Sequence, residues 1–332
     1  MVWPLFVSFV CFVVTKISML RLRFLCARLL AALSLMTAFV SVARASDVAA
    51  RPLRVLFFSK SANFEHSVVK RVNGQPSWAE QILGELGQKR GYAFTFSKDG
   101  AQITPEFLAQ FDVLFFFTCG FFTSDVPNVD GQPPMTEAGL RAVYDAVAAG
   151  KGFVGCHSTA DCFHTGEQPQ VKFQAEPGRW VNHGDKSHPW VKFIGGEFIR
   201  HGAQQATGIR VATPDFPGMK ALPTSARFME EWYSLKDFAP DLHVIHVMET
   251  AGMNEPEYRR PPFPCAWARP HGKGRVFYTS LGHREDVWAS EYFQTTIAAG
   301  LDWAGRRTEA DVTPNIERVA PGARQMPVVP ES

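Results

Sequence analysis

Short apolar runs recur along the chain with few polar interruptions. Continuous apolarity without polar alternation is typical of strands covered on both faces, as in a parallel sheet. The runs that predict strands are 53–58, 93–96, 113–117, 153–156, 242–247 and 276–279.

Segments with helical periodicity lie between these strands. Residues 77–90, 136–149 and 288–304 each place apolar side chains on one stripe, which predicts an amphipathic helix in each. Strands and helices therefore alternate along much of the chain. That alternation predicts an α/β protein with a three-layer, doubly wound and mostly parallel sheet.

Two segments lack these patterns. Between 159 and 230 the chain is rich in Gly, Pro, His and Trp, and a connection of that length predicts a cleft-forming insertion. Residues 308–332 are rich in Pro, Glu and Arg and are expected to form a loosely held tail. The sequence therefore predicts one α/β domain over 46–307, preceded by a leader and followed by the tail.

The leader is predicted over residues 1–45. Arg21 and Arg23 give it a positive start, residues 29–42 are apolar, and Ala43-Arg44-Ala45 offers small residues at the positions that a signal peptidase reads. Cleavage after Ala45 would deliver a periplasmic or secreted protein, and an uncleaved anchor is the alternative. The apolar stretch 2–14 fits translation that starts at Met19 instead.

The charge balance changes once the leader is removed. The whole chain has 34 Lys and Arg residues against 32 Asp and Glu, a formal charge of +2. The leader holds five basic residues and no acidic residue, which leaves 29 basic against 32 acidic residues and a formal charge of −3. Because no Lys or Arg run is present to track phosphates, nucleic acid is not an expected partner, and after cleavage neither is a membrane.

Four cysteines remain after the leader. They are interpreted either as disulfide partners in an oxidising compartment or as small buried apolar residues. They are Cys119, Cys156, Cys162 and Cys265.

Histidines follow the ends of several predicted strands. His66 follows the first strand, His157 ends the fourth, and His283 follows the last. Ligands bind beyond the carboxyl ends of the strands in an open α/β sheet, so these imidazoles are expected to converge at one edge. The turn at 155–158 (GCHS) is expected to push His157 out over the sheet, where hydrolases carry a serine or cysteine nucleophile. Imidazole in that place favours a general base or a metal ligand.

Several separated motifs together resemble the trehalose-utilisation (ThuA-like) family. They are 53–66 (LRVLFFSKSANFEH), 152–161 (GFVGCHSTAD), 195–201 (GGEFIRH), 230–233 (EEWY) and 274–283 (GRVFYTSLGH). The resemblance covers about 53–304. It implies a class I glutamine amidotransferase-like fold, flavodoxin-like in outline, that has lost its Cys–His–Glu machinery. It also implies a role in the use of disaccharides such as trehalose.

The family's polar set falls on five residues of this chain: His66, His157, His201, Glu231 and His283. The chain departs from the family pattern in two places. Gly202 rather than proline follows His201, and Asp215-Phe216-Pro217 stands where a His-Pro pair is common.

These residues receive predicted roles. The predicted catalytic residues are His157, His283 and Glu231. The predicted substrate-binding residues are Asn63, His66, His201, Trp232 and Tyr233. Aromatic rings suit the apolar faces of pyranoses, which favours Trp232 and Tyr233 as a cleft wall. The histidines of the loop after 159, His164, His183 and His188, are interpreted as solvated.

A divalent metal is one interpretation of the same side chains. His157, His201, His283 and Glu231 would form a ligand set for zinc, manganese or iron. Ion-free acid–base catalysis by a His–Glu pair is the alternative, because it uses the same groups. No nucleotide cofactor is expected.

The leading functional hypothesis is an exported enzyme that hydrolyses, eliminates or isomerises a disaccharide or an oxidised (keto) sugar. The alternative is a non-catalytic carbohydrate-binding or scaffolding protein that kept an enzyme fold. An amidotransferase is discounted because Cys156 stands one residue before the position expected to be exposed. The expected partner is a small sugar, and assembly with identical subunits is left open.

Overall fold

A sheet of nine strands runs through the domain. The computed structural model describes residues 51–124, 128–167 and 177–327, so the predicted leader 1–45 lies outside the described residues. The strands are β1 (Leu53–Phe58), β2 (Tyr92–Ser97), β3 (Val113–Phe116), β4 (Gly152–Cys156), β5 (Glu197–Arg200), β6 (Gln205–Val211), β7 (Ser225–Glu230), β8 (Ser234–Lys236), β9 (His243–Met248), β10 (Phe263–His271) and β11 (Gly274–Thr279). Strands β5 and β8 form a separate two-stranded sheet.

The large sheet has a parallel half and an antiparallel half. Its strand order is β2-β1-β3-β4-β11-β10-β9-β6-β7. The pairs from β2 to β11 are parallel, and the pairs from β11 to β7 are antiparallel. Every residue of β3 and β4 is buried, as their continuous apolar runs predict. The predicted α/β class with a parallel core is confirmed, and the antiparallel half extends it.

Helices cover the sheet, and their ends carry ordinary capping signals. They are α1 (Trp78–Arg90), α2 (Pro105–Leu108), α3 (Glu137–Ala148), α4 (Pro189–Ile194), α5 (Glu285–Ala289), α6 (Glu291–Ala304) and α7 (Ile316–Val319). Ser77 and Glu80 form a reciprocal capping box at the start of α1, and Gly91 ends that helix in the left-handed conformation. The helix predicted over 288–304 is divided at Ser290, whose side chain accepts a hydrogen bond from the N–H of Phe293. Among the described helices, none has the length and apolarity needed to cross a membrane.

The segment predicted as an insertion, 159–230, instead contributes two strands to the large sheet. Residues 168–176 of this segment lie outside the described part of the chain. Strand β6 pairs with β9, and β7 pairs with β6 at the edge of the sheet. Exposed and partly buried positions alternate along β7, and its last residue, Glu230, is fully buried. That period of two is typical of an antiparallel edge strand, and a search for continuous apolar runs does not detect it.

The segment predicted as a loosely held tail is packed against the domain over 308–327. Ile316 and Val319 of α7 are buried, as are Ala320 and Ala323 in the turn that follows this helix. The side-chain oxygen of Asn315 accepts a hydrogen bond from the N–H of Val244 in β9 at 2.7 Å. The Pro-, Glu- and Arg-rich composition concealed this short apolar segment.

The parallel half of the sheet determines where the site forms. Strands β1, β3, β4 and β11 run in the same direction, so their carboxyl ends lie along one edge. The loops that leave this edge begin at Ser59, Phe117, His157 and Ser280. This is the edge at which wound sheets bind their ligands.

Candidate functional site

Three imidazoles meet at the carboxyl edge of the parallel strands. The ring centroid of His66 lies 4.9 Å from that of His157 and 5.2 Å from that of His283. The rings of His157 and His283 are 5.4 Å apart. Residues that are 217 positions apart in the sequence therefore form one cluster, because their loops leave neighbouring strands at the same edge.

His157 occupies the turn after β4 but is not exposed, contrary to the sequence expectation. Its backbone is left-handed, with φ of +47°, and its side chain is fully buried. The Nδ1–H donates to the carbonyl of Ser280 at 2.8 Å, because a carbonyl oxygen can only accept. In the neutral ring this bond leaves the lone pair on Nε2, which faces the cluster. The ring is covered by Tyr233, whose centroid lies 4.2 Å away.

The carboxylate of Glu231 joins the three histidines. Its Oε2 lies 3.0 Å from Nδ1 of His283 and 3.5 Å from Nε2 of His157. Burial alone would raise the pKa of Glu231, but the adjacent imidazoles of His157 and His283 hold that pKa well below its ordinary value. Glu231 is therefore a member of the cluster and not a simple surface carboxylate.

The surroundings also shift the other members of the cluster. Burial, together with the neighbouring His157 and His283, lowers the pKa of His66 well below that of a free imidazole. Burial would also lower the pKa of His283, but Glu231 raises it above the ordinary value. The cluster therefore shifts the pKa values of two neighbouring imidazoles in opposite directions, down for His66 and up for His283.

Glu230 positions the cluster, a role that was not predicted from the sequence. Its fully buried carboxylate accepts hydrogen bonds from the N–H groups of Glu231 at 2.8 Å, Gly282 at 3.1 Å and His283 at 3.3 Å. Burial raises the pKa of Glu230. Consecutive side chains of a strand point in opposite directions. A Glu-Glu pair where a strand ends therefore predicts one carboxylate that faces the core and one that faces away from it.

His201 and Asn63 lie at the rim of the cluster. The His201 side chain is 36 % exposed, its Nδ1 lies 3.5 Å from Oε1 of Glu231, and the same nitrogen donates to the carbonyl of Gly202. Asn63 is exposed, and its side-chain oxygen accepts a hydrogen bond from the thiol of Cys119 at 3.1 Å. Both side chains are accessible to a ligand that reaches the imidazoles.

Trp232 and Tyr233 do not form the predicted cleft surface. They are 1 % and 2 % exposed, and the indole N–H of Trp232 donates to the carbonyl of Gln205 at 2.8 Å. Trp232 therefore packs inside the domain, and the ring of Tyr233 packs against the ring of His157. The chain beyond β7 turns inward rather than along the cleft, which the sequence pattern did not indicate.

Phe64 is an exposed aromatic side chain beside the cluster. No role was predicted for it from the sequence. It is 55 % exposed, and its ring meets His66 edge to face with centroids 4.8 Å apart. Val129, 53 % exposed, hydrogen-bonds through its N–H to the carbonyl of Ala62 and extends the apolar rim. A large apolar residue between Asn63 and Glu65 in a strand-end loop was the available sequence signal.

The cysteines are buried thiols. Cys119, Cys156, Cys162 and Cys265 all lie in the described residues, where none forms a disulfide. Burial raises the pKa of each. Cys156, at the position before His157, donates its thiol hydrogen to the carbonyl of Leu281 at 3.3 Å and faces the core. The interpretation as small buried residues is the one that the structure supports.

A second polar cluster surrounds His164, which is 4 % exposed rather than solvated as expected. Its Nε2 lies 2.6 Å from Oδ1 of Asp161, and its Nδ1 lies 3.2 Å from Oε1 of Glu197. His183, at the edge of this cluster, contacts Asp237 at 3.3 Å. The buried ammonium of Lys236 lies within 4 Å of both Glu197 and Asp237.

The pH dependence of stability is predicted from this cluster. Burial would raise the pKa of Glu197, but the hydrogen bond from His164 and the charge of Lys236 lower it to about 2. Burial would lower the pKa of His164, but its bonds to Asp161 and Glu197 raise it. The Glu197 contribution is therefore present above the ordinary pKa of 4.5 and is lost as the pH falls toward 2. The His164 contribution is present below 6.5 and is lost as the pH rises through its raised pKa.

Urea unfolding measured across pH checks this prediction. The free energy of unfolding should be greatest between about pH 4.5 and 6.5 and fall on both sides. Glu197→Gln should flatten the acid side, whereas the exposed Glu85→Gln should leave the profile unchanged. An acid side of equal slope in the wild type and in Glu197→Gln would contradict the assignment.

The fold and the site together define a flavodoxin-like α/β protein with a histidine–carboxylate cluster at its ligand-binding edge. A family model described as trehalose utilisation (ThuA) matches residues 54–304. The chain therefore belongs to the ThuA family. No curated protein matches the chain significantly.

Two solved structures have a similar fold. A ThuA-like protein from Bacteroides uniformis is 19 % identical, with a TM-score of 0.54, over 77 % of this chain and 92 % of that one. A ThuA-like protein from Parabacteroides merdae is 16 % identical, with a TM-score of 0.51, over 81 % of this chain and 97 % of that one. At these identities the likeness establishes the fold.

Proposed function

We propose that this protein is an exported carbohydrate-active enzyme that hydrolyses, eliminates or isomerises a disaccharide or an oxidised (keto) sugar. The observation that carries the proposal is the convergence of His66, His157 and His283 on the carboxylate of Glu231. These three reactions share proton transfer to or from a sugar oxygen or a carbon beside a carbonyl. Imidazole and carboxylate are the side chains that most often perform such transfers.

The geometry supports distinct roles for the groups of the cluster. His157 is held in one orientation by Ser280, with Nε2 toward the cluster, so it serves as the general base. Glu231 and His283, 3.0 Å apart, form the pair that returns the proton. Glu230 acts as a positioning residue, because it fixes the backbone that carries both members of that pair.

The rim supports a sugar as the ligand. Phe64 offers an exposed ring next to His66, while Asn63 and His201 offer hydrogen-bonding groups. A pyranose presents apolar C–H faces and hydroxyl edges, so an aromatic ring beside polar groups is complementary to it. The family description, trehalose utilisation, favours the same substrate class.

Incubation with a panel of disaccharides and their 3-oxidised forms tests the proposal. The expected result is a new product, detected by NMR and mass spectrometry, that does not form with the His283→Ala variant. Calorimetric binding without any product would instead establish the non-catalytic carbohydrate-binding protein. If the protein neither binds nor converts any of these sugars, both hypotheses are refuted.

Phe64→Ala is expected to raise KM by about threefold to tenfold with a smaller change in kcat, because an aromatic contact contributes about 0.5–1.5 kcal/mol to binding. Phe64→Tyr keeps the ring and should retain most of the affinity. Val181→Ala removes another exposed apolar side chain and serves as the control. A KM for Phe64→Ala equal to that of the wild type would exclude a substrate contact at this position.

Export is the remaining part of the proposal. Cleavage after Ala45 predicts that the protein recovered from the periplasm or medium begins at Ser46. N-terminal sequencing of the recovered protein measures this directly, and an intact leader would instead support the uncleaved anchor.

A further inference from the structure

Four potential ligand atoms lie together at the centre of the candidate site. One side-chain atom from each of His66, His157, Glu231 and His283 falls within 4.8 Å of all the others. The four residues come from the β1 loop, the β4 turn, the end of β7 and the β11 loop. Because the four residues come from separate elements, their meeting at one point depends on the tertiary structure and not on proximity in the sequence.

The imidazole nitrogens that face this point lack hydrogen-bond partners. Within the described part of the chain, Nδ1 of His66, Nε2 of His157 and Nδ1 of His283 are buried and unpaired. Nδ1 of His283 lies 3.0 Å from Oε2 of Glu231, but not in hydrogen-bonding geometry. Buried polar atoms usually have a hydrogen-bond partner. These three nitrogens therefore require a binding partner that the neighbouring side chains and backbone do not supply.

A shared proton can satisfy only one of these nitrogens. The Nδ1–H of His157 is committed to Ser280, so in the neutral ring its Nε2 lone pair points toward the Glu231 carboxylate at 3.5 Å. A lone pair and a carboxylate repel each other unless a positive charge lies between them. An imidazole whose second nitrogen donates to a backbone carbonyl is also the usual arrangement of a metal-ligating histidine.

We propose that His66, His157, His283 and Glu231 bind one divalent transition-metal ion. Three imidazoles and one carboxylate suit zinc, manganese or iron(II). The proposal deepens the proposed function, on which its catalytic use rests: such an ion polarises a sugar carbonyl or hydroxyl. Because the ion would occupy the Nε2 lone pair of His157, His157 would then act as a metal ligand in place of the general base of an ion-free cluster. Binding itself can be measured without any sugar.

This ligand set differs from the one expected from the sequence. His66 replaces His201, which approaches only the other carboxylate oxygen of Glu231, Oε1, and is 36 % exposed. The Nδ1–H of His201 is also committed to the carbonyl of Gly202. His201 is therefore an outer partner of the proposed ligand Glu231.

A second group of metal-ligand side chains, His183, Glu197 and Asp237, is not proposed as a site. The ammonium of Lys236 lies 3.1 Å from Nδ1 of His183, 3.6 Å from Glu197 and 3.7 Å from Asp237. A cation is therefore already supplied there by the protein. This group serves as an internal comparison in the experiment.

Metal-stripped full-length mature protein, titrated with Co²⁺ alone, tests the proposal. We expect one Co²⁺ per chain, followed by its visible absorption and by calorimetry, and displaced by Zn²⁺. Because outer-shell partners cost about 10- to 100-fold in affinity, loss of a ligand in His66→Gln or Glu231→Gln should weaken binding at least about 100-fold. His201→Ala, which removes an outer partner, should weaken it by less than about 100-fold, and so by less than either ligand change, and His183→Ala should not change it.

The outcomes separate the alternatives. Equal losses in His201→Ala and His66→Gln would overturn the ligand set, and a loss in His183→Ala would place the ion at the second group. The absence of stoichiometric Co²⁺ binding would overturn the site. Near-UV circular dichroism of each variant checks folding, and Glu231→Gln covers the case in which His66→Gln does not fold. Sugar turnover that persists in metal-stripped protein would overturn the catalytic use of the metal, whereas metal binding without turnover would overturn only the proposed function.

Discussion

His157→Asn is expected to lower kcat/KM for the sugar substrate by at least about 10²-fold, because the Nε2 that it removes is either the general base of an ion-free cluster or a ligand of the proposed metal. The change removes Nε2 from the cluster and leaves Glu231 and His283 in place. Asparagine tolerates the left-handed backbone at this position, where φ is +47°, so the loss should not arise from strain. Steady-state kinetics with the substrate identified in the sugar panel measure the effect.

His271→Ala is the matched control for this prediction. His271 ends β10, at the opposite end of the β10–β11 hairpin from His283. Its replacement should leave kcat/KM within about twofold of the wild type. If His157→Asn also remains within that range while circular dichroism shows a native fold, His157 has no part in the chemistry.

Lys236→Met is expected to lower the free energy of unfolding by about 3–5 kcal/mol, because loss of one partner leaves the others buried and uncompensated. The Lys236 side chain is fully buried, and its ammonium donates to the carbonyls of Gly178 and Val181, both at 3.0 Å. It also neutralises the adjacent Glu197 and Asp237. Methionine keeps the volume but none of these interactions.

Denaturant unfolding measures the Lys236 prediction. Lys220→Met is the control, since Lys220 pairs with Asp215 at the exposed surface, and its midpoint should match the wild type. The double variant Lys236→Met/Glu197→Gln should recover part of the loss, because it removes one uncompensated carboxylate. A decrease below about 1 kcal/mol for Lys236→Met would show that the cluster is stable without its internal cation.

The parallel half of the fold could be predicted from the sequence because its strands are buried on both faces. Burial on both faces requires continuous apolarity, and Leu53–Phe58 matches its predicted bounds. The edge strand β7 and the helix α7 could not be found by the same criterion. Strand β7 covers only one face and alternates between exposed and partly buried positions, and the four-residue helix α7 buries only Ile316 and Val319 within polar sequence.

The candidate site could be predicted only in part. The meeting of His66, His157 and His283 follows from topology, since parallel strands end at one edge. Burial does not follow from topology, so His157 was expected to be exposed and Trp232 to line a cleft. The role of Glu230 depends on three backbone N–H groups from two distant loops, a relation that no local sequence pattern contains.

The carboxylate of Glu230 bridges the two halves of the sheet. It ends β7 in the antiparallel half and holds the loop after β11, the last strand of the parallel half. The carboxylate of the cluster, Glu231, therefore follows a strand of the antiparallel half, and its three imidazoles follow strands of the parallel half. A folding intermediate in which the edge hairpin β6–β7 has not docked would possess the three imidazoles of the cluster and yet lack its carboxylate, so binding of the proposed ion would report that the whole sheet has formed.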